Sequence, residues 1–225
     1  MNNTTQQHKP LIGIVGQSGS GKSSSLRGLD PATTIILDGE RKGFPFKGGE
    51  RFIVRPFSTP QEFIAELKAA KENQAIQTIV IESFTKLAEY AKTFCQSAYK
   101  GFDIWSNYAK LIRSVLNECK NSHAVVIWTA IDEIVDIPGV DGTESAKRLV
   151  SIDGKELKGK IEYEFLMVFF TDVRKSKDGK NMEYFFQTNT DGTTSAKSPM
   201  GMFSEQLIPN DMAAVLKKMK EYYAT

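Results

Sequence analysis

Long apolar runs are scarce in this chain. The longest, such as Ala124 to Ile131, fall far short of the ~20 residues that a bilayer-spanning helix requires, and residues 1–9 are polar and lack a signal-peptide core. The chain is therefore read as cytosolic, with no membrane partner. Cysteine is nearly absent. Cys95 and Cys119 fall inside apolar helical patterns without CxxC or Cys/His ligand spacing, which argues for buried thiols over a disulfide or a zinc site. Charge of one sign is not in excess either: 29 Lys+Arg against 27 Asp+Glu give a net charge of +2, which excludes a histone-like polycation and an acidic solvating tail. Repeats are missing, and the only biased segment is the Asn/Thr/Gln-rich leader. What remains is 225 residues, 40% hydrophobic, enough to bury a core as one domain spanning 10–225 behind a disordered leader of 1–9.

Apolar, β-branched segments recur at Leu11 to Val15, Thr33 to Leu37, Arg51 to Phe57, Thr78 to Ile81 and Ala124 to Ile131, a pattern expected of strands buried on both faces of a parallel sheet. Helical periodicity fills the gaps. Thr59-Pro60-Gln61-Glu62 is a capping box with Pro at the first helical position, followed by Phe63, Ile64, Leu67 and Ala70. Ser83 opens a second helix with Phe84, Leu87, Ala91, Phe94 and Cys95 on its apolar side, and Leu111, Ile112, Val115, Leu116 and Cys119 mark a third. Beyond residue 131 the pattern changes: Ile161 to Val173 and Met182 to Thr188, separated by Asp178-Gly179, predict an antiparallel hairpin, and a helix capped by Asn210 or Asp211 closes the chain.

Gly16-Gln17-Ser18-Gly19-Ser20-Gly21-Lys22-Ser23 matches GxxxxGK[ST] directly after an apolar strand and before a predicted helix. Glycines let the backbone curl so that successive N–H groups face a phosphate; Lys22 adds a mobile charge for the β and γ oxygens, Ser23 offers a hydroxyl to Mg²⁺, and Ser24 continues the cradle. ATP and Mg²⁺ are the expected cofactors. Kinases, transporters, GTPases and motors share this loop, so other carboxylates must narrow the chemistry. Glu40, in Asp38-Gly39-Glu40, falls where a parallel sheet presents its C-terminal edge and is placed to orient an attacking water. A plain Asp-Gly turn carrying surface acids is the alternative. Glu82 ends Thr78-Ile79-Val80-Ile81, where a P-loop site holds its Mg²⁺ shell, although Asp is the usual residue there. Ser83 is either a hydrogen-bond donor supporting the site or the N-cap of the next helix, and is read first as the cap.

GQSGSGKS, ILDGE, IVIES and VVIWTA, in that order, resemble the RecA-like ATPases, and more narrowly their small phage-encoded members, which include the RecA-like branch of the Sak single-strand annealing proteins. The resemblance runs from Leu11 to Tyr223. It implies a RecA-like P-loop NTPase core, an α/β fold with a mostly parallel sheet, flanking helices and a C-terminal antiparallel hairpin. It also implies weak or DNA-stimulated ATP hydrolysis, single-stranded DNA as partner, annealing or strand pairing in recombination, a homo-oligomeric ring or filament, a single-strand DNA-binding protein as a further partner, and a host cytoplasm for a phage product. Glu40 maps onto the family's catalytic glutamate and Glu82 onto its metal-associated acid. Thr129 is the nearest match to its γ-phosphate sensor, where the usual Gln is absent. Lys197, in Ser195-Ala196-Lys197-Ser198, resembles the lysine that reaches a neighbour's nucleotide, and is equally well a solvated loop residue.

The resemblance also places two DNA-facing loops at Tyr99 to Trp105 and Ile131 to Lys160. In the first, Lys100 and Phe102 combine charge with a stacking ring, though Phe102 and Trp105 serve as well to anchor a helix connection. In the second, Lys147, Arg148, Lys155, Lys158 and Lys160 outnumber Asp153 and Glu156, an excess suited to phosphates and also common on solvated loops. Two other functions stay open: a small-molecule or nucleotide kinase, against which stands the lack of an Arg-rich lid, and a nucleotide-gated, non-catalytic binding module. An ABC-type signature is missing.

Overall fold

The computed structural model describes residues 10–138 and 144–224. The predicted leader 1–9 and the breakers at Gly139, Asp141 and Gly142 lie outside the described residues. The described residues form ten strands and four α-helices: β1 (Leu11–Val15), β2 (Thr34–Asp38), β3 (Ile53–Pro56), α1 (Pro60–Glu72), β4 (Thr78–Glu82), α2 (Phe84–Ala98), α3 (Phe102–Lys120), β5 (Val125–Ala130), β6 (Asp132–Pro138), β7 (Glu144–Val150), β8 (Met167–Lys175), β9 (Met182–Gln187), β10 (Leu207–Pro209) and α4 (Met212–Tyr223).

Eight strands form one sheet in the order β10-β9-β8-β1-β5-β4-β2-β3. The six from β8 to β3 run parallel, and β9 and β10 extend the sheet by antiparallel pairing, as the Asp178-Gly179 turn predicts. Alternation along each inner strand sends side chains to two cores. Leu11, Val15, Ile79, Ile81, Val126 and Trp128 face α1, α2 and α3, whereas Ile12, Ile14, Val80 and Ile127 face α4 and a segment around Phe44, Phe46 and Phe52. The result is the expected α/β architecture, helices on both faces of a mostly parallel sheet.

Helix starts follow the capping chemistry. The Thr59 side chain accepts from Glu62 N, and the Glu62 carboxylate accepts chiefly from Ser58 N. Asp211 caps α4 by accepting from Ala213 N and Ala214 N. Both cysteines are free and buried, and burial pushes the Cys119 thiol up to about 12. No helix among the described residues is long and apolar enough to cross a membrane.

Several expectations are corrected. The segment after the P-loop, Ser23–Gly28, is a six-residue 3-10 helix and not an α-helix. β3 is an edge strand with Ile53 exposed, so it is not buried on both faces. Phe94 is likewise exposed and does not share the buried apolar side of α2. Phe102 to Trp105 form the first turn of α3 and not a loop. Most of 131–160 is not irregular: β6 and β7 pair as a separate antiparallel hairpin, Asp132 opposite Val150 through Pro138 opposite Glu144. Ile161–Glu164 is a 3-10 turn, so β8 starts later than the Phe/Tyr-rich pattern suggests.

Candidate functional site: a phosphate loop between two glutamates

Because β1, β2, β4 and β5 are parallel and in register, with Val15 opposite Ala130 and Asp38 opposite Glu82, their C-terminal ends share one edge of the sheet. The Gly16–Ser23 loop leaves β1 at that edge, and a cleft of about 840 Å³ opens beside it. The cleft is lined by Gly21, Lys22, Ser23 and Ser24 together with Glu40, Lys42, Glu82 and Ser83.

The loop is held from behind by the sheet. Gly16 N donates to Ala130 O at 3.1 Å. A Cβ on Gly16 would stand 1.7 Å from Thr171 Oγ1, so glycine is required here by close approach to β8. Gly19 and Gly21, at φ +76° and +94°, supply the left-handed turns of the curl. Thr171 donates to Ser20 Oγ at 2.7 Å, and Ser20 donates to Gln17 O at 2.6 Å. Gln17 Nε2 donates to Asp132 Oδ1 at 2.8 Å, and Asp132 is ion-paired with Arg148 Nε at 2.6 Å. Gln17 and Ser20 thus brace the loop with their side chains. Lys22 Nζ folds back onto its own loop, donating to Gly16 O at 2.7 Å and Gln17 O at 2.9 Å. Burial lowers its pKa, with Glu82 pulling in the opposite direction.

Glu82 stands at the end of β4 with 4% exposure. Ser23 Oγ donates to its Oε1 at 2.6 Å, and Thr129 Oγ1 donates to its Oε2 at 2.8 Å. Burial raises the Glu82 pKa, and these two hydrogen bonds offset only part of that rise. Thr129 is fully buried behind Glu82, so any influence it has on a ligand passes through that carboxylate. Ser83 does more than the cap predicted for it: its Oγ accepts from Lys86 N and also donates to Glu40 Oε1 at 2.7 Å.

Glu40 reaches the cleft because Asp38 builds the turn beneath it. Asp38 Oδ1 accepts from Glu40 N and Arg41 N, both at 2.9 Å, and Gly39 N donates to Glu82 O at 2.7 Å. Lys42 Nζ pairs with Glu40 Oε2 at 2.9 Å. Burial pushes Glu40 upward, but hydrogen bonds from Lys42 and Ser83 more than offset it and hold the carboxyl below its ordinary range. Ser83 fills both of the roles its position offered as alternatives, whereas Lys42 was not legible beforehand; a lysine two residues after the DGE acid was the available signal.

For a magnesium nucleotide, the donor set fits. Ser23 and Glu82 present a hydroxyl and a carboxylate 2.6 Å apart at the mouth of the loop. No cluster of three His, Cys, Asp or Glu able to hold a metal occurs among the described residues. A hard cation that keeps its waters and shares phosphate oxygens needs no more from the protein than these two groups.

The buried, raised Glu82 carries a consequence for stability. A carboxyl whose pKa is higher in the folded protein leaves that state binding more protons, so its contribution to stability declines as pH rises from about 4.3, the unfolded value, up to its raised folded value. Thermal unfolding of the nucleotide-free protein and of Glu82→Gln across that window should show the wild type losing ground relative to the variant as pH rises. A constant difference would place Glu82 in an ordinary environment.

Other expected site residues lie elsewhere. Lys197 pairs with Val168 on β8, opposite the N-terminal half of β1, and does not line this cleft; burial lowers its pKa while Glu162 and Glu164 pull it up. Arg148 is not a free cation, being held by Asp132, the carbonyl of Thr171 and the ring of Phe170 at 5.3 Å. Lys158 is paired with Glu133. Lys100, Lys155 and Lys160 are exposed, Lys147 is half-buried on β7, and Phe102 is 93% exposed at the start of α3. Phe102, Lys155 and Lys158 line a second cavity of about 680 Å³, which they share with Trp105, Tyr108 and the carboxylates Glu89, Glu133, Asp153 and Glu156. That lining is not the basic stripe the lysine count suggested.

A curled glycine loop with its lysine and serine, set between two glutamates at the C-terminal edge of a parallel sheet, defines a P-loop nucleotide-binding protein of ATPase type. The sequence profile described as AAA domain matches residues 8–200, most of the chain, and the protein belongs to that family. No curated protein matches the chain.

Proposed function

We propose that this protein binds MgATP and hydrolyses it with Glu40 orienting the attacking water, in the manner of a RecA-like ATPase that acts on single-stranded DNA. One observation carries the hydrolytic reading: Lys22, Ser23, Glu82 and Glu40 converge on one cleft. Ser83 links Glu40 to the end of β4, and Ser23 contacts Glu82 directly. Backbone N–H groups and Lys22 would hold the phosphates, Ser23 the magnesium, and Glu82 its water shell. Bound magnesium supplies charge neutralisation at the β and γ oxygens. Glu40 is hydrogen-bonded and kept ionised by Lys42 and Ser83, so it is able to orient a water and accept its proton.

The DNA role, annealing or strand pairing by an oligomeric phage-type protein, rests on the resemblance in motif order and on Phe102, whose exposed ring at the α2–α3 corner suits base stacking. The pairing of Arg148 and Lys158 within the chain leaves Lys100, Lys155 and Lys160, with the half-buried Lys147, as the cations of this set available for phosphate. On the same reading, Lys197 would act on the nucleotide of a neighbouring copy, and a single-strand DNA-binding protein would be a further partner.

ATP turnover with and without single-stranded oligonucleotide, with anisotropy of the labelled strand read across a salt series, tests the proposal. Salt-sensitive, nucleotide-coupled DNA binding and stimulated turnover are expected. ATP binding without DNA affinity at low salt overturns the DNA role, and phosphoryl transfer to a nucleoside monophosphate would make the protein a kinase.

A further inference from the structure

Sheet order gives the nucleotide cleft a direction. Glu40 and Glu82 follow β2 and β4 on one side of β1, whereas Tyr184 lies on β9 and Asn210 follows β10 on the other. On the nucleotide-binding reading, Lys22 and Ser23 would hold the β and γ phosphates toward the glutamates. The opposite end, formed by Ser24, Arg27, Tyr184, Pro209 and Asn210, is left for the remainder of the nucleotide.

Asn210 is unusual at that end. It is 3% exposed, and neither its Oδ1 nor its Nδ2 has a hydrogen-bond partner among the described residues. Its backbone is fully used: N donates to Tyr184 O at 3.1 Å, and O accepts from Arg27 Nη1 at 3.0 Å. The carboxamide is therefore held in place while both of its polar atoms go unpaired, a costly arrangement unless something binds there. Both atoms pack against Gly21 of the P-loop, 3.4 Å from where a Cβ would be. The ring of Tyr184 packs on the same glycine, with Cδ1 2.9 Å from that point, and is 42% exposed.

We infer that Asn210 and Tyr184 form the nucleobase subsite of this cleft, the carboxamide reading a base edge that carries a donor beside an acceptor, and the tyrosine ring turning aside to stack on the base. The inference rests on the nucleotide-binding reading above. A carboxamide offers one acceptor and one donor, which matches the amino group and adjacent ring nitrogen of adenine, and also the carbonyl and ring N–H of guanine. Tyr184, which shares the surroundings of Gly21 with the carboxamide and is half-exposed, is the side chain that would turn aside to admit a base. Gly21 has to be glycine here for a second reason besides its φ of +94°: any side chain would fill the space these two residues share.

Calorimetric titration of MgATP, MgGTP and magnesium tripolyphosphate into the wild type, Asn210→Leu, Asn210→Asp and Tyr184→Ala tests this, with unfolding temperatures recorded for each variant. Asn210→Leu and Tyr184→Ala should each weaken the preferred nucleoside triphosphate by about tenfold and leave tripolyphosphate affinity unchanged, because tripolyphosphate has no base. Asn210→Asp presents two acceptors and should raise the ratio of GTP to ATP affinity, since guanine carries adjacent ring N–H and amino donors. ATP binding unchanged in either truncation overturns the inference, as does an equal loss for ATP and tripolyphosphate, which would make Asn210 a positioning residue of the P-loop. Failure of the wild type to bind either ligand would instead overturn the nucleotide-binding reading itself.

Discussion

Lys22→Ala should reduce MgATP affinity by about a hundredfold or more, while the unfolding temperature of the ligand-free protein shifts little. Lys22 Nζ makes two hydrogen bonds, both to carbonyls of its own loop, at Gly16 and Gln17. With phosphate present, those bonds are exchanged for charge-assisted ones to the β and γ oxygens, each worth about 1.5–3 kcal/mol, and two such bonds correspond to at least about a hundredfold in affinity. The loop curl does not depend on this lysine, because the Gly16–Ala130 hydrogen bond and the chain from Thr171 through Ser20 to Gln17 hold it from the sheet side. Isothermal titration with MgATP and with tripolyphosphate checks the prediction, and both ligands should fail alike. Retained affinity for either would show that phosphate is not held by this loop.

Glu40→Gln should slow ATP turnover by about 10²–10⁴-fold, the range associated with loss of a general base, with MgATP affinity changed no more than a few-fold. The amide retains an acceptor for Ser83 Oγ and so preserves the link to the end of β4, but it cannot take a proton from water. The pH profile adds an independent reading. Burial raises the Glu40 pKa, and hydrogen bonds from Lys42 and Ser83 overcome that rise and bring the net value below its ordinary level. The base must be ionised to act, and Glu40 stays so to below about 4.3, the ordinary glutamate value, so an acidic limb of wild-type turnover above that value belongs to the raised Glu82 and not to Glu40. Lys42→Ala removes the stronger of the two hydrogen bonds and leaves the burial, so the acidic limb should move toward neutral pH. Turnover unaffected by Glu40→Gln would assign water orientation to another group.

The P-loop, the DGE turn and the acid ending the fourth buried strand are legible in the sequence because each is local. A glycine spacing, an Asp-Gly dipeptide and an apolar run closed by a carboxylate carry their geometry within a few residues. The parallel sheet is legible for a similar reason, since strands buried on both faces write continuous apolar runs. What the tertiary structure alone decides is which distant polar groups meet. Ser83 reads as a helix cap from its neighbours, and it is one, but the register of β2 against β4 also brings it to Glu40 across 43 positions of sequence. Thr129 reads as a ligand sensor by position, yet it sits behind Glu82, because alternation and in-register pairing direct its hydroxyl to that carboxylate. Arg148 counts as one more cation in a basic stretch, but pairing of β6 with β7 sets it beside Asp132, which sequesters its charge. The β6–β7 hairpin itself went unread because its strands, DEIVDIP and ESAKRLV, have neither a period-two alternation nor the buried apolar runs of the main sheet. Asn210 carried no signal beyond a possible helix cap; Asp211 takes the cap, and three-dimensional packing delivers the Asn210 carboxamide, unpaired, to the end of the cleft beside Gly21.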